Sequence, residues 1–331
     1  MAIRAVYMGP EAAEGTLAAT LFFNRVESWQ PVGDAKLDIP VETTNSTITD
    51  IHPVAGPTQG NFTAKVRAYY DMSVHWFAMT LGLPTVVDNP GSSTGTHDHT
   101  FTPGGYTQVP YSVVWKQVGS KGVIWRQMTG CRGKSLKATI EGNKGLIFEI
   151  QGHGYYPGSS VAQVGADNTA AYIQPVALNQ QALTLNTLAW KKPKKFDVLI
   201  DTGLAPDWSI QSQRGYDRLK PANTKGTADI QAYFDAYSGS LIAIQDSATQ
   251  LANVIIFTAQ DGVSNIGTGT MTHPSLTWTL PKPYIEGATE DSTQTDPEEK
   301  AKATLAYDPA SLSNMTIKFH NELAATVYTG T

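Results

Sequence analysis

The sequence predicts a mainly β protein built as two tandem copies of one unit, each a strand, a short helix and then further strands. Three observations predict it. A nine-residue stretch, Thr63-Ala64-Lys65-Val66-Arg67-Ala68-Tyr69-Tyr70-Asp71, returns as Thr227-Ala228-Asp229-Ile230-Gln231-Ala232-Tyr233-Phe234-Asp235, in a chain of 331 residues. Both copies alternate with period two, as a half-buried strand does. The apolar face (Ala64, Val66, Ala68, Tyr70 and Ala228, Ile230, Ala232, Phe234) is kept, while Lys65 and Arg67 become Asp229 and Gln231. A helical spacing follows each copy, and the rest of the chain is rich in glycine and hydroxyl residues with charged residues at only 16%.

Further matches keep the order of the repeat, as a duplicated fold requires. Leu37–Glu42 resembles Phe196–Asp201, and Pro110 with Trp115 resembles Pro274 with Trp278. Lys137–Ile140 resembles Lys302–Leu305, and Leu146–Ile150 resembles Met315–Phe319. The predicted division is a first domain over residues 1–160, with an N-terminal arm, and a second over 161–331, with residues 154–195 as its linker.

Taken in order, residues 1–36 read as an arm or leading strand around a mixed segment from Leu17 to Val26. Thr43 to Ile51 is β-prone and polar. Val74, Phe77, Ala78 and Leu81 then take helical spacing, with Gly82 as the stop. In the second copy Leu241, Ile244 and Ala248 do the same. Residues 88–108 read as a Gly/Thr/Pro loop. Residues 109–118 and 123–128 flank Gly119-Ser120-Lys121-Gly122, a hairpin signature. A second hairpin turns at 141–145, Val254–Phe257 is an apolar strand, and a third hairpin between Trp278 and Thr304 has a long acidic tip. Lys191-Lys192-Pro193-Lys194-Lys195 reads as a solvated linker.

Composition excludes several classes. The single cysteine, Cys131, forms no intrachain disulfide, so the fold does not depend on an oxidising compartment. The N-terminus lacks the charged-then-apolar design of a signal peptide, and no apolar run reaches the ~20 residues that span a bilayer. The expectation is a soluble protein made in a cytoplasm. Residues 1–165 hold 12 basic and 12 acidic residues, and residues 166–331 hold 12 and 17, so the second half carries the whole net charge of −5. No basic stripe argues for tight nucleic-acid binding.

Motifs that suggest chemistry do not complete a site. Gly91-Ser92-Ser93-Thr94-Gly95 fits a nucleophile elbow, but Asn89-Pro90 precedes it and no helical pattern follows, so a flexible loop is expected. His97-Asp98-His99 could present two imidazoles on one strand face, yet a third ligand at metal-site spacing is missing. Gly130-Cys131-Arg132-Gly133-Lys134-Ser135 echoes the end of a phosphate-binding loop, but Met128 stands where glycine is needed. Cys131 reads as a small buried residue beside a turn. No catalytic residue, metal site or cofactor is predicted.

Thr96-His97-Asp98-His99-Thr100-Phe101-Thr102-Pro103, then Thr129-Gly130-Cys131-Arg132-Gly133-Lys134-Ser135-Leu136, then Leu146-Ile147-Phe148-Glu149-Ile150-Gln151-Gly152 resemble, in this order, the major tail tube proteins of long-tailed bacteriophages. The resemblance covers about residues 37–154 and reaches 196–322 through the repeat. Only His273-Pro274 in the second unit matches the first motif. The resemblance implies two tandem β-sandwich or barrel domains, each with a short flanking α-helix. It implies a virion protein, not an enzyme, whose rings stack into a hollow tube that passes DNA without specific binding. Its implied partners are further copies of itself and the tape measure, tail terminator and baseplate or distal tail proteins, with no membrane. Two domains per chain imply a trimeric ring with pseudo-sixfold symmetry.

Charge gives candidate subunit contacts. Lys116, Lys121, Arg126, Arg132 and Lys134 lie around the first hairpin with no acid among them. The tip taken as its counterpart carries Glu286, Glu290, Asp291, Asp296, Glu298 and Glu299 with no base. Opposite charge on equivalent hairpins favours contact between unlike units. The competing readings are another ring-forming tail or baseplate protein and a pair of carbohydrate-binding modules, which needs an exposed aromatic platform.

Overall fold

The computed structural model describes residues 2–38, 41–44, 47–50, 54–103, 108–120, 122–141, 145–156, 160–161, 176, 181–185, 188–189, 193–207, 218–220, 224–233, 241–246, 254–263, 266–291, 298–308 and 313–328. The first half contributes β1 (Ala2–Pro10), β2 (Phe22–Asn24), β3 (Ser28–Asp38), the hairpin β4 (Val41–Thr44) and β5 (Thr47–Asp50), then β6 (Val54–Arg67) and helix α1 (Ser73–Leu81). It continues with β7 (Thr85–Asp88), β8 (His97–Phe101), β9 (Tyr111–Gly119), β10 (Gly122–Glu141), β11 (Ile147–Tyr155) and β12 (Ser160–Val161). The second half has β13 (Gln181–Leu185), β14 (Leu188–Ala189), β15 (Pro193–Asp201), β16 (Ala205–Asp207), β17 (Arg218–Lys220), β18 (Lys225–Tyr233) and helix α2 (Leu241–Gln245). It ends with β19 (Ile255–Gln260), β20 (Ser275–Leu280), β21 (Pro283–Asp291), β22 (Glu298–Leu305) and β23 (Thr316–Asn321).

Two antiparallel sheets face each other as a sandwich, the predicted class. The longer contains an unbroken run β3-β6-β11-β10-β15-β18-β22-β21, to which β1, β2, β9 and β12 attach beside the first part of β10. The second runs β14-β13-β19-β20-β23-β8-β7. Both sheets mix strands from the two halves: β10 pairs with β15, and β8 pairs with β23. Phe196 of one sheet stacks on Phe257 of the other at 6.0 Å.

The repeated stretch forms β6 and β18, and its alternation sets the inner face. Ala64, Val66, Ala228 and Ile230 are buried, while Lys65, Arg67 and Asp229 are exposed. Phe234 and Asp235 lie outside the described residues. Helix α1 forms where the spacing requires, and the Gly82 N–H closes its last turn on the Ala78 carbonyl at 3.0 Å. It is buried on every side rather than amphipathic. Phe77 meets Phe148 of the long sheet at 5.1 Å and Trp278 and Phe319 of the second at 5.8 and 5.1 Å. Such edge-to-face contacts join the two layers through one ring. Helix α2 is shorter, and Ala248 lies outside the described residues.

Two readings differ from this structure. Residues 88–108 are not one loop but hold β8. Its polar sequence is compatible with a strand because His99 and Phe101 turn inward, while Asp98 is paired with His320 and Lys318. The repeat also maps onto the sheet differently. β22 lies beside β18 as β11 lies beside β6, so Lys302–Leu305 takes the place of Glu149–Gly152 in β11, not of Lys137–Ile140. Trp29 stands opposite Ala64 as Val198 stands opposite Ala228, so the counterpart of Phe196–Asp201 begins near Ser28, not at Leu37. In this alignment the four-strand order β3-β6-β11-β10 recurs as β15-β18-β22-β21. Trp115 and Trp278 are both buried, with Val6 of β1 opposite one and Ile317 of β23 opposite the other.

Candidate subunit interface

The long sheet ends in two open edges. Among the described residues no strand pairs with the outer side of β3 or of β21. An unpaired edge presents a row of N–H and C=O groups to a neighbouring chain. On β21, Tyr284, Glu286, Thr289 and Glu290 are exposed, and the register shifts between Glu286 and Thr289. On β3, Gln30 and Val32 are exposed, and Lys65 and Arg67 on the adjacent β6 share Glu27 at 3.7 and 3.3 Å.

The basic hairpin β9–β10 forms as predicted, turning between Gly119 and Gly122. The Lys116 ammonium lies 5.6 Å from the centre of the Trp125 ring, and Arg126 Nε donates to Gln117 Oε1 at 3.0 Å. Lys134 is exposed. Arg132 is engaged within the chain by Glu14 at 2.8 Å and by the Leu219 carbonyl at 3.4 Å. Lys121 lies outside the described residues. The tip of the hairpin is apolar, with Val123 50% and Ile124 37% exposed.

Beyond Met128, β10 leaves β9 at a register shift and runs on between β11 and β15. Two residues sequence reasoning passed over hold this junction. The buried Glu11 carboxylate accepts the Gly130 N–H at 2.7 Å, the Gly15 N–H at 2.7 Å and the Ser112 hydroxyl at 2.8 Å. Burial raises its pKa against the lowering pull of those hydrogen bonds. Gln108 Nε2 donates to the carbonyls of Thr80 and Gly133, at 2.5 and 2.9 Å, tying α1 to β10.

The acidic hairpin is divided in use. Glu286 and Glu290 are exposed on the edge strand. Asp291 belongs to β21 by its backbone; its side chain and all of Asp296 lie outside the described residues. Glu298 and Glu299 are buried. Glu298 is paired with Lys194 and accepts from Gln231 Nε2 at 2.5 Å; these hydrogen bonds, Lys194's first, hold its carboxyl below the usual range. Glu299 accepts the Leu241 N–H at 2.6 Å, at the start of α2. Nor are the two hairpins equivalent in the sheet. β21–β22 occupies the place of β10–β11, while β9–β10 lies in the side strip with β1.

The residues that suggested chemistry serve the fold. Ser93 is buried, and its hydroxyl accepts the Met271 N–H at 2.7 Å. Its segment is a pinned turn rather than a flexible loop, since Thr94 also bridges Thr268. Asp98 is engaged by His320 at 2.7 Å and Lys318 at 3.2 Å; burial works to raise its pKa, but these contacts hold it low. His97 pairs with Asp88 at 2.7 Å. Cys131 is buried, which pushes its thiol pKa up. Among the described residues no three His, Cys, Asp or Glu side chains are grouped to hold a metal, and no helix is long and apolar enough to cross a membrane.

A family model for phage tail tube proteins matches residues 2–309, nearly the whole chain. The chain belongs to the phage tail tube protein family. The search of curated proteins gives no match. Membership makes this a structural component of the phage tail, and the motifs that carried the resemblance are now legible in the fold. Gly130-Cys131 marks the junction in β10. His99 and Phe101 face the core beneath the C-terminal end of the chain, in contact with Tyr328.

Proposed function

We propose that this chain is a tube subunit carrying two fused tube units, residues 1–160 and 161–331, and that three chains close into a pseudo-sixfold ring. The supporting observation is the eight-strand run with an open edge at each end and a four-strand order used twice. Joining β21 of one chain to β3 of the next is a heterologous contact, which closes into a ring when the rotation closes. Three chains give 24 strands. At ~4.8 Å between strands and the tilt usual in barrels, that makes a cylinder of about 45–50 Å between backbones, wider than a DNA duplex. The outer face of the long sheet alternates in charge: Lys65 lies opposite Glu149 and Glu149 opposite Lys137, while Asp229 and Glu286 both lie opposite Lys302. Mixed charge on a lumen wall suits DNA that passes and does not bind.

Rings stack into a tube through surfaces at their two ends. The partly buried Lys116 and Arg126, the exposed Lys134 and the exposed apolar tip at Val123 and Ile124, together with Lys121, meet the acidic residues Glu286, Glu290, Asp291 and Asp296 of neighbouring chains. Arg132, Glu298 and Glu299 support the contact from within the subunit. The finished tail adds tape measure, terminator and baseplate proteins at the tube's core and ends. Among the described residues the tryptophans Trp29, Trp76, Trp115, Trp125 and Trp278 are buried and form no platform for the carbohydrate-binding alternative. Negative-stain electron microscopy of concentrated protein, seeded with tail tips, tests the reading. Hollow tubes or closed rings are expected; a protein that stays monomeric under seeding contradicts it.

A further inference from the structure

We infer that the C-terminal segment Ala325–Tyr328 is an acid-released latch, held in the fold by Tyr328 against two buried neutral histidines, His75 and His99, and freed when they take up protons. The segment is a single 3-10 turn in which Ala325 and Thr326 are exposed and Tyr328 is buried. Tyr328 is its buried anchor, and the partly buried Val327 packs against the core beside it. The Tyr328 ring reaches from the end of the second half into the first, touching β8 through His99 and Phe101 and α1 through His75.

Hydrogen bonding fixes where the protons are. The Leu323 N–H donates to Asn321 Oδ1 at 2.9 Å, and Asn321 Nδ2 donates to the Tyr70 carbonyl at 2.8 Å. Asn321 Oδ1 is thus the acceptor toward His99, whose Nε2–H donates to it at 2.9 Å. The other ring nitrogen, Nδ1, keeps its lone pair and accepts the Tyr328 hydroxyl at 2.9 Å. Neutral His99 gives each of these groups a partner. A second proton on Nδ1 would take the Tyr328 oxygen as its acceptor and leave the phenol hydrogen without its present partner. His75 has no better place for a charge: its Nδ1 lies 3.4 Å from the Tyr111 hydroxyl, its Nε2 has no hydrogen-bond partner, and Phe22 stacks on it at 4.5 Å.

Burial is the largest influence on His99 and lowers its pKa; of the charged groups nearby, His97 adds to this and Asp98 works against it. On β8, His97 is bound to Asp88 of β7, and Asp98 points to the opposite face from His99. From β23, Lys318 and His320 are both bound to Asp98. At the start of α1, Asp71 Oδ1 accepts the Met72 N–H. The remaining neighbours, Tyr111 and Tyr328, are neutral phenols whose pKa values burial raises. A proton on either ring is a buried charge without a hydrogen-bonded carboxylate, and letting Tyr328 go admits water to it.

Hydrogen exchange by mass spectrometry on the full chain at pH 7.5 and 5.0, corrected for intrinsic rates, tests the latch. His99 has its pKa lowered to about 4 by burial, from 6.5. If opening restores the ordinary value, linkage alone makes the 322–328 backbone exchange about 30-fold faster at pH 5.0. Strands β9 and β11 should keep their protection. Unchanged protection of 322–328, or loss only together with β9 and β11, overturns the proposal. The H99Q variant keeps a donor and an acceptor but takes no proton, so the acid response of the segment should shrink by that factor. If H99Q does not fold, Y328F is the second probe. It removes the hydroxyl and should speed exchange of the segment already at pH 7.5; protection equal to wild type would overturn the latch.

Discussion

At Gly133 a Cβ would collide with the Thr80 side chain and come within 2.9 Å of the Thr80 Cα, so a single hydrogen at this position lets α1 lie against β10. Gly133→Ala therefore pushes α1 off the sheet, and the expected cost is about 1–3 kcal/mol, as for other overpacked cores. Urea denaturation followed by tryptophan fluorescence measures it. The buried histidines set a pH dependence with a definite sign. Burial lowers His75 to about 3 and His99 to about 4, so the unfolded chain protonates first, near pH 6.5. Stability should fall as pH drops below 6.5 and stop falling on their account only below about 3. Thermal melts between pH 7.5 and 4 check this; a flat profile would mean the rings are solvated. Cys131 was legible from sequence because a small apolar residue beside glycines needs only local context. Glu11 was not, because its partners Ser112 and Gly130 stand 101 and 119 residues away. Glu298 and Glu299 look in sequence like any exposed acids; only Lys194, Gln231 and the start of α2 reveal their use.

Among the elements, strand type was legible and strand place was not. Alternation located β6, β9, β11, β18 and β22 because a half-buried strand must alternate, and helix α1 declared itself by spacing and Gly82. Short period-two matches cannot say which neighbour a strand takes, since any inner face of Ala, Val and Ile looks the same. That is why Lys302–Leu305 matched β10 in sequence but stands in the place of β11. β8 was only partly legible, as a strand entry at His97-Asp98-His99 inside a stretch read as a loop, because its outer residues are polar and its inner ones include a histidine. The proposed interface has its test at this scale. Reversing Glu286 and Glu290 to lysine on the exposed edge of β21 should leave subunit stability within about 0.5 kcal/mol of wild type. It should weaken assembly at low ionic strength and recover toward wild type as salt screens the new repulsion. Sedimentation velocity at two salt concentrations reads both; equal assembly throughout would remove these charges from the contact.

For the whole molecule, the nine-residue repeat was visible in the sequence, but the way its two copies share one sheet was not. Two copies of a strand, helix and hairpins imply two similar bodies, whereas the structure runs one sheet through both halves at β10–β15 and crosses them again at β8–β23. Pairing between distant strands leaves no trace in local pattern, because either partner would be as apolar with any other. The family membership supports a structural role in the tail tube, and the eight-strand run is the observation on which the proposal of three chains per ring rests. The most direct measurement is the rotational symmetry and chain count of the assembled ring, from end-on cryo-electron microscopy views with native mass spectrometry of the same particles. Three chains in a ring with six similar lobes is the predicted result. Six chains per ring, or rings in which β3 and β21 stay unpaired, would contradict it.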